Sequence, residues 1–423
     1  MKFRFVHAAD LHLDTPFAGV GKTSPETAAV LREAPLEALD QLTQLAIERQ
    51  ASFVLLAGDI YDGVHRSVRC QLRFRRALER LDDHGIESFV VHGNHDPTDS
   101  WSAIRSWPER AHVFDADSVQ VLPVVRDGVQ LATVYGVSHG KSDESDNLAK
   151  KFERFDGQGI HVGLLHCTVG HNDDHAPYAP CEVAELCEVG LDYWALGHIH
   201  QHAILRSEAP WIVYPGTLQG RSPKPTELGA KGAVVVEVDG DVISDVEFVA
   251  VDSVRFLHVD FDIEAIRDLA ELRDALESRL ETCRDDHPGR GLIVRGTLTG
   301  RGPVFEDLKR AGVVDEILRE LRDDAQGEDP VVWWESLRND TEKTLDRERI
   351  RRRGDFSSEL IRVTDDLRAN REQLQVLLDE ELSLLDRRGC ARWMEQLDSQ
   401  QWEQLLDQAE RYALHLLDQE GEE

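Results

Sequence analysis

Along the first half of the chain, short apolar runs alternate with longer segments whose apolar residues recur at helical spacing. The most apolar run, Phe53–Ala57, predicts a strand buried on both faces. It lies between two amphipathic segments, residues 24–50 and 67–83, that predict helices, and Pro35 is expected to restart the first of them. A further strand is predicted at residues 89–91. Together with a strand near the N-terminus, this order predicts a layered α/β domain.

The periodicity changes twice farther along the chain. Short strands, with a short helix at about 146–154, continue to about residue 250 and complete a first predicted domain, residues 1–250. Strands then alternate with amphipathic helices over residues 253–334, which predicts a small α+β domain whose last strand is Val331–Trp334. Only helical spacing is evident in residues 335–423, so this region is predicted to be helical.

Composition narrows the class of protein. The chain has 423 residues, of which 41% are hydrophobic, enough for two or three domains with real cores. Neither an apolar run of membrane-spanning length nor a signal-peptide pattern is present, and the six cysteines are scattered, so a reduced, cytoplasmic protein without a membrane segment is expected. The net charge of −32 argues against broad, non-specific binding of nucleic acid. Any such contact therefore needs a local cluster such as Arg347–Arg353.

Polar side chains with metal-binding chemistry follow five of the apolar runs. Asp59 comes just after Phe53–Ala57, where it is either a cap for the next helix or a metal ligand, and taken alone the cap is the simpler interpretation. The other four runs end in residues of the same kind, namely Asp10 with His12, Asn94 with His95 and Asp96, His166, and His198 with His200. Imidazole, carboxylate and amide oxygen together suit Mn, Fe or Zn, whereas no cysteine pair has the spacing of a structural zinc site.

These blocks, in this order, resemble the calcineurin-like metallophosphoesterase superfamily, whose pattern is D-x-H, G-D-x-x-D, G-N-H-D, a lone His after a strand, and G-H-x-H. All five blocks are present between Asp10 and His200, and five in order are far more specific than any one of them. The opening Phe5–Asp14, with Tyr214-Pro215-Gly216 and Gly229–Gly232, is similar to the SbcD-like DNA-repair exonucleases, and most of all to their YhaO-type bacterial relatives.

The resemblance implies a fold, a metal site and roles for individual residues. The implied fold is α/β, a layered metallophosphoesterase β-sandwich flanked by helices, here with the small α+β capping domain and the helical C-terminal region. Two divalent metal ions, most often Mn, are implied, the first held by Asp10, His12, Asp59 and His200 and the second by Asp59, Asn94, His166 and His198. His95 then protonates the leaving oxygen, while Asp96 either orients His95 or caps the loop. At the position of Asp62, archaeal and eukaryotic members carry a His that is thought to position the phosphate or the product. This role is not carried over to Asp62.

The resemblance also implies a metal-dependent DNA exonuclease, with single-strand endonuclease activity as an addition, that acts in double-strand-break repair. A phosphatase or cyclic-nucleotide phosphodiesterase on the same core and a non-catalytic scaffold are the alternatives. The implied partners are DNA, an SbcC-like ABC-type ATPase with a coiled coil, and a second copy of the chain. We therefore expect docking helices beyond about Phe356 and a dimer surface on residues 67–81, although helices that pack on their own chain have the same spacing.

Overall fold

The strands and helices of the computed structural model largely follow the predicted alternation. The structure describes residues 1–18, 23–63, 67–170, 177–342, 347–370, 406–410, 412–414 and 417. The strands are β1 (Lys2–Ala8), β2 (Phe53–Ala57), β3 (Glu87–Val91), β4 (Ala111–Val113), β5 (Gln120–Arg126), β6 (Val129–Gly136), β7 (Ile160–His166), β8 (Tyr193–Gly197), β9 (Ala203–Arg206), β10 (Trp211–Tyr214), β11 (Gly232–Asp239), β12 (Val242–Ala250), β13 (Val254–Asp262), β14 (Gly291–Thr299) and β15 (Val332–Asn339). The α-helices are α1 (Pro25–Glu48), α2 (Val68–Asp83), α3 (Val183–Glu188), α4 (Leu269–Asp286), α5 (Phe305–Leu308), α6 (Val313–Asp324), α7 (Arg347–Arg351) and α8 (Phe356–Ala369). Within this described part of the chain, no helix is long and apolar enough to cross a membrane.

Two six-stranded mixed sheets form the layers of the larger domain. The first has the order β12-β11-β1-β2-β3-β4 and the second has the order β5-β6-β7-β8-β10-β9. Their facing sides share one hydrophobic core. In that core the ring of Phe5 stacks on Phe53 with centroids 4.8 Å apart and meets Tyr193 of the second sheet edge-on at 5.3 Å. The predicted layered α/β fold is therefore confirmed.

Parallel pairing brings the ends of the central strands to one edge of this sandwich. Strands β1 to β4 run parallel in the first sheet, and β6 to β8 run parallel in the second. The two sheets meet at the end of β2 and β7, where the His166 ring nitrogen Nδ1 lies 2.9 Å from the Ala57 carbonyl oxygen. Because segments that follow parallel strands emerge at the same edge, the loops after β1, β2, β3, β7 and β8 become neighbours.

Helix α1 packs on the outer face of the first sheet and is continuous where the sequence predicted an interruption. Ser24 caps it by accepting a hydrogen bond from the backbone N–H of Thr27 at 3.1 Å. The helix continues through Pro35, so the predicted restart at that residue is wrong. Leu31, Pro35 and Leu36 are all buried, and this packing offsets the backbone hydrogen bond that a proline cannot make.

Helix α2 packs beside α1 and exposes only part of its apolar surface. Ala77, Leu78 and Leu81, which belong to the predicted dimer surface, are buried in the core beneath the helix. Val68 and Leu72 remain 51% and 43% exposed. Three residues of the predicted surface thus stabilise the helix on its own sheet. Of the apolar side chains of α2, only Val68 and Leu72, near its start, face outward.

The helix predicted at residues 146–154 is a single 3-10 turn, Leu148–Lys151, so that prediction is wrong in length. The turn lies on the outer face of the second sheet together with α3. Phe152 ends it by taking extended backbone, which places its ring 4.9 Å from that of the buried Trp194. Tertiary packing of this aromatic pair overrides the local helical pattern.

Strands β13, β14 and β15 form a separate three-stranded sheet in which all pairs are parallel. Helix α4 connects β13 to β14, and α5 and α6 connect β14 to β15. The buried Trp334 lies in the core of this small domain. Strand β15 continues past Trp334 to Asn339, so the last strand is longer than predicted and the region after residue 335 is not entirely helical.

The chain divides into two compact units, residues 1–341 and 342–423. In the second unit, Arg347 pairs with Glu410 and with Asp365, each at 2.7 Å, and Arg351 pairs with Asp365 as well. Two arginines of the predicted basic cluster are therefore already bound to carboxylates of their own unit. The predicted docking leucines at 374–385 lie outside the described residues, so their role stays a prediction.

We predict that His7 makes the fold sensitive to acid. Burial lowers the pKa of His7 from 6.5 to about 3, because the ring lies between the sheets with Nε2 3.1 Å from the Leu196 carbonyl and Nδ1 3.0 Å from the Tyr193 hydroxyl. The unfolded chain therefore binds one more proton than the folded chain below about pH 6.5, and stability falls as the pH falls. His7 alone should cost about 2 kcal/mol of unfolding free energy between pH 7 and pH 5.

Urea unfolding at these two pH values checks this expectation. His7→Gln should be less stable than the wild type at pH 7 but should lose less stability at pH 5. His84→Gln, a change at an exposed histidine, is the matched control and should behave as the wild type. Equal losses in the wild type and His7→Gln would contradict the assignment.

Candidate metal centre

Side chains from five loops converge at the edge where the two sheets meet. The centroid of the His12 ring lies 5.1 Å from that of His95 and 5.2 Å from that of His200. The ring centroids of His166 and His198 are 5.4 Å apart. The residues predicted as metal ligands that meet here are Asp10, His12, Asp59, Asn94, His166, His198 and His200. Of these, only His200 is more than slightly exposed. The structure thus brings together every side chain that the sequence assigned to metal binding.

Four of these residues have left-handed backbone, which is uncommon for side chains other than glycine. The φ angles are 51° at Asp10, 44° at His12, 51° at Asp59 and 102° at His198. Such a conformation costs roughly 1–3 kcal/mol per residue unless the surroundings impose it. Here the backbone N–H of Asp10 donates to Gly58 O at 3.1 Å and that of His12 donates to Asp59 O at 3.0 Å. These bonds lock the loops after β1 and β2 to each other and aim their side chains at one point.

Asp59 lies between two of the imidazoles of the site. It is 1% exposed, and its Oδ2 lies 3.3 Å from His166 Nε2 and 3.7 Å from His12 Nε2. Its Oδ1 accepts a hydrogen bond from the backbone N–H of His95 at 2.9 Å. Burial pushes the pKa of Asp59 upward, but attraction to His166 and His12 outweighs it and holds this pKa well below its usual value. The carboxylate is therefore charged and placed between imidazoles on two sides.

His166 presents its Nε2 to this carboxylate. Its Nδ1 lies 2.9 Å from the carbonyl oxygen of Ala57. Because a carbonyl oxygen can only accept a hydrogen bond, the neutral ring carries its hydrogen on Nδ1. Nε2 then faces Asp59 and the side-chain oxygen of Asn94, which is 3.0 Å away. Burial lowers the pKa of His166, but the charge and hydrogen bond of Asp59, together with the charge of Asp10, outweigh burial and raise this pKa to about 9. The two oxygens thus favour a cation at Nε2, either a proton or a metal ion.

His12 gives the most direct test of whether the residues fit a metal. Both of its ring nitrogens are buried and neither has a hydrogen-bond partner. Burial holds the pKa of His12 well below its usual value, so the ring is neutral and has a lone pair to offer. One donor atom each from Asp10, His12 and His200 lies within 4.8 Å of the others, and the same holds for Asp10, Asp59 and His166. A buried, unpaired imidazole inside such a set has the chemistry of a metal ligand.

Asp10 is oriented by the backbone of the last block. The N–H of His198 lies 3.1 Å from each oxygen of the Asp10 carboxylate. Burial raises the pKa of Asp10 to about 6 even though His166 and His200 attract its charged form. A second buried carboxylate beside Asp59 therefore needs more positive charge than the protein alone supplies, which again fits a divalent cation.

Glu227 is a site residue that the sequence reasoning missed. Its Oε1 lies 2.7 Å from His200 Nδ1, and its Oε2 accepts the backbone N–H of Arg221 at 3.0 Å. Burial raises the pKa of Glu227, but the His200 hydrogen bond and the positive charge of Arg221 together outweigh burial and lower this pKa to about 2. A carboxylate that accepts a hydrogen bond from the Nδ1 of a histidine makes Nε2 the nitrogen suited to bind a metal, as in the carboxylate–histidine pairs of metal sites. The Gly229–Gly232 motif just beyond it was the only available signal.

His95 is held by Asp62, the residue whose role was left open. His95 Nδ1 lies 2.5 Å from Asp62 Oδ1, and the other oxygen of Asp62 accepts the Thr15 hydroxyl at 2.9 Å. This hydrogen bond to Asp62 raises the pKa of His95. The His95 side chain is 44% exposed, so it is accessible to a substrate. An imidazole that is fixed through Nδ1 and accessible to a substrate can donate a proton from Nε2.

Asp96 does not orient His95, so that predicted role is wrong. One of its oxygens accepts the backbone N–H of Gly93 at 2.8 Å, and the other accepts that of Ile60 and lies 3.0 Å from His92 Nδ1. Asp96 therefore caps the loop after β3 and ties it to the loop after β2, in agreement with the alternative interpretation. Asp96 thus fixes the backbone around the site, and none of its hydrogen bonds goes to the His95 ring.

Comparison with known proteins places this geometry in a family. The family model of calcineurin-like phosphoesterases matches residues 3–202, and that of the metallophosphoesterase YhaO middle domain matches residues 256–342. An uncharacterized metallophosphoesterase YhaO of Bacillus subtilis is 33% identical over 339 residues, which cover 80% of this chain and 82% of that protein. The chain belongs to the calcineurin-like metallophosphoesterases.

More distant relatives are DNA double-strand break repair proteins named Mre11. The protein of Sulfurisphaera tokodaii is 22% identical over 306 residues, which cover 69% of this chain and 76% of that protein. The protein of Thermoplasma acidophilum is 25% identical over 292 residues, which cover 65% of this chain and 74% of that protein. A metallophosphoesterase uses divalent metal ions to hydrolyse phosphate esters, and the donor set around Asp59 fits that requirement.

We predict that Asp62 and His95 act as one unit in this phosphoesterase. His95→Gln should lower the turnover of a dinucleotide phosphodiester, whose alkoxide leaving group needs a proton, by roughly 10²–10⁴, the range for a general acid, and Asp62→Asn should lower it by no more than that. Since Asp62 acts through His95, the double variant should be about as active as His95→Gln alone. Metal content, measured by elemental analysis, should equal that of the wild type in all three variants.

Two outcomes would contradict this pairing. Multiplicative losses in the double variant would mean that the two side chains act independently. Loss of bound metal in His95→Gln would mean that His95 is a ligand and not an acid.

Proposed function

We propose that the protein is a two-metal phosphodiesterase that degrades DNA from its ends, a metal-dependent exonuclease of the SbcD-like kind that acts in double-strand-break repair. The observation that carries the proposal is the complete set of oxygen and nitrogen donors around the buried carboxylate of Asp59. The match to a YhaO protein supports a metallophosphoesterase, and the more distant likeness to proteins named for DNA double-strand break repair supports the choice of DNA as substrate. Single-strand endonuclease activity is proposed as a second activity of the same site.

The proposed ligand assignment follows the two sides of Asp59. Its Oδ2 lies 3.7 Å from His12 Nε2 and 3.3 Å from His166 Nε2, so Asp59 would be the ligand that both ions share. On one side, Asp10, His12, Asp59 and His200 would hold the first ion. On the other side, Asp59, Asn94, His166 and His198 would hold the second ion. The mixture of carboxylate, amide oxygen and imidazole favours Mn as the working metal.

The residues of the chain then divide the remaining work. When bound, the two metal ions lower the pKa of the attacking water and neutralise charge on the phosphate oxygens. His95, held through Nδ1 by Asp62, donates a proton from Nε2 to the leaving oxygen. Thr15 fixes the second oxygen of Asp62, so the acid is held by a chain of two hydrogen bonds. No nucleophilic side chain is required, because water attacks directly.

A phosphatase or a cyclic-nucleotide phosphodiesterase remains the second candidate. The same donor set serves these reactions, so the difference lies in what surrounds it. The small domain of β13, β14 and β15 and the unit at 342–423 favour a large substrate, because neither is needed to enclose a small one. The non-catalytic alternative is disfavoured by His95. Its side chain is held by Asp62 and is 44% exposed, which suits an acid and is not needed to stabilise the fold.

The deciding experiment measures cleavage of end-labelled duplex DNA, end-labelled single-stranded DNA, p-nitrophenyl phosphate and a cyclic dinucleotide, each with Mn, Mg and Zn. We expect Mn-dependent release of mononucleotides from DNA ends. Asp59→Asn should abolish this activity, because it weakens the bridge and both ions with it, and elemental analysis should show loss of metal. Turnover confined to the small esters would overturn the DNA assignment, and an active Asp59→Asn would overturn the two-metal assignment.

We further propose that an SbcC-like ABC-type ATPase binds the C-terminal unit and that a second copy of the chain packs on α2. Support for the first comes from the division of the chain after Thr341, and for the second from the exposed Val68 and Leu72. A chain ending at Thr341 should still hydrolyse bis(p-nitrophenyl) phosphate with Mn but should not co-purify with an SbcC-like ATPase of the same organism. Co-purification equal to that of the full chain would contradict this docking site.

A further inference from the structure

Arg221 lies beside the proposed metal site on the loop between β10 and β11, and its backbone is fixed from both sides. Its N–H donates to Glu227 Oε2 at 3.0 Å, and its carbonyl accepts the N–H of Ala18 at 3.1 Å. The residue is only 8% exposed. A guanidinium that is always charged is therefore held close to His200 and its partner Glu227, where it has little access to water.

The guanidinium lacks the hydrogen bonds that a buried charge requires. Its Nη2 lies 3.7 Å from Glu227 Oε1, which is too long for a hydrogen bond. The same nitrogen lies 3.5 Å from His200 Nδ1, but that atom points its own proton at Glu227, 2.7 Å away, and has no lone pair to accept a second. Its Nε is buried and has no partner. A buried charge with only such contacts is unstable unless an anion completes them.

Another arginine of this chain shows what a completed buried pair looks like. Arg255 is also 8% exposed, and it binds the buried Asp252 through two hydrogen bonds, Nε to Oδ2 at 2.9 Å and Nη2 to Oδ1 at 2.8 Å. Arg221 has the same burial but no such fork-to-carboxylate pairing. The difference indicates that the guanidinium of Arg221 is available to bind an anion that is not part of the protein.

The neighbours of Arg221 identify the position of that anion. Its Nη2 lies 3.5 Å from His200 Nδ1. The His12 ring lies 5.2 Å from that of His200 and 5.1 Å from that of His95, so a phosphate held by Arg221 would lie beside proposed metal ligands and the proposed acid. The guanidinium fork matches two oxygens of a phosphate in both spacing and plane. Among the described residues, the carboxylate nearest to this guanidinium is that of Glu227 at 3.7 Å, so none occupies the fork at hydrogen-bond distance.

We propose that Arg221 is a phosphate-binding residue that holds a non-bridging oxygen of the substrate phosphodiester. This role rests on the proposed phosphodiesterase function and adds a substrate contact that belongs to the protein and not to the metals. Arg221 gives up no proton and forms no covalent bond. It fixes the phosphate against His95 and the metals, so it contributes mainly to affinity for substrate and product.

The test compares Arg221→Gln and Arg221→Lys with the wild type in the full chain. With bis(p-nitrophenyl) phosphate and Mn, Arg221→Gln should raise KM by about 10–100-fold, the size of a lost charge-assisted hydrogen bond, and should weaken competitive inhibition by inorganic phosphate by a similar factor. Arg221→Lys keeps the charge without the fork and should show a smaller increase in both constants. Metal content should equal that of the wild type in both variants.

Arg255→Gln is the matched control, because it removes an arginine of equal burial that lies outside the site. It should lower thermal stability but leave KM and phosphate inhibition unchanged. Unchanged KM and unchanged phosphate inhibition in Arg221→Gln would overturn the proposal, and so would loss of metal in Arg221→Lys, which would assign Arg221 to the support of His200. If Arg221→Gln does not fold, unchanged constants in Arg221→Lys would overturn the proposal in the same way.

A separate measurement distinguishes failure of this inference from failure of the proposed function. Calorimetry of the Mn-loaded protein with inorganic phosphate requires no turnover. If the wild type binds phosphate and Arg221→Gln binds it at least 10-fold more weakly, Arg221 keeps its assignment even for an enzyme that spares diesters and DNA. If both bind phosphate equally, the assignment fails whatever the substrate of the enzyme is.

Discussion

The burial of two carboxylates side by side is the constraint on which this site depends. Asp10 and Asp59 are almost fully buried, and both lie in loops with left-handed backbone that close-range hydrogen bonds impose. Negative charge in such a place is costly unless positive charge accompanies it. The chain offers His166 for this purpose, and Asp59 raises the pKa of that imidazole to about 9. A divalent cation satisfies the same carboxylates without a proton, so metal binding and the stability of these loops are linked.

The same constraint explains why glycines stand next to the ligands. A Cβ on Gly197 would lie 1.8 Å from the carbonyl oxygen of Ala57, and one on Gly93 would lie 2.3 Å from Asp59 Oδ1. Both distances are far below contact distance, so only glycine allows the two sheets and the loop after β3 to approach this closely. The glycines of the G-N-H-D and G-H-x-H blocks are therefore required by the approach of backbone to the buried Asp59.

The parts of the site that were predictable are those fixed by position along a strand. Asp59 and His166 lie at the ends of apolar runs, and parallel strands place such ends at one edge, so the sequence was sufficient for their convergence. Contacts between loops were not predictable in this way. Asp62 and Glu227 bind His95 and His200 through side chains whose direction depends on turns that no periodicity encodes.

The errors have the same origin in tertiary contacts. Asp96 is adjacent to His95 in sequence, but the backbone N–H groups of Gly93 and Ile60 take its oxygens, and Asp62 approaches His95 from another loop. Pro35 was expected to interrupt α1, but burial of the surrounding residues keeps the helix continuous. In both cases local sequence offered two outcomes, and a contact with a distant segment selected one of them.

A net charge of −32 is unusual for an enzyme proposed to act on a polyanion, and the arrangement of charges resolves the conflict. Repulsion between exposed carboxylates and DNA phosphates is screened beyond a Debye length of about 8 Å at physiological ionic strength. Attraction is then needed only where the phosphate is held. The two proposed metal ions and the buried Arg221 would supply it within the site, and the low exposure of Arg221 protects its attraction from the same screening. Affinity would thus come from a few short contacts at the scissile phosphate, while the acidic surface limits binding of nucleic acid elsewhere on the protein.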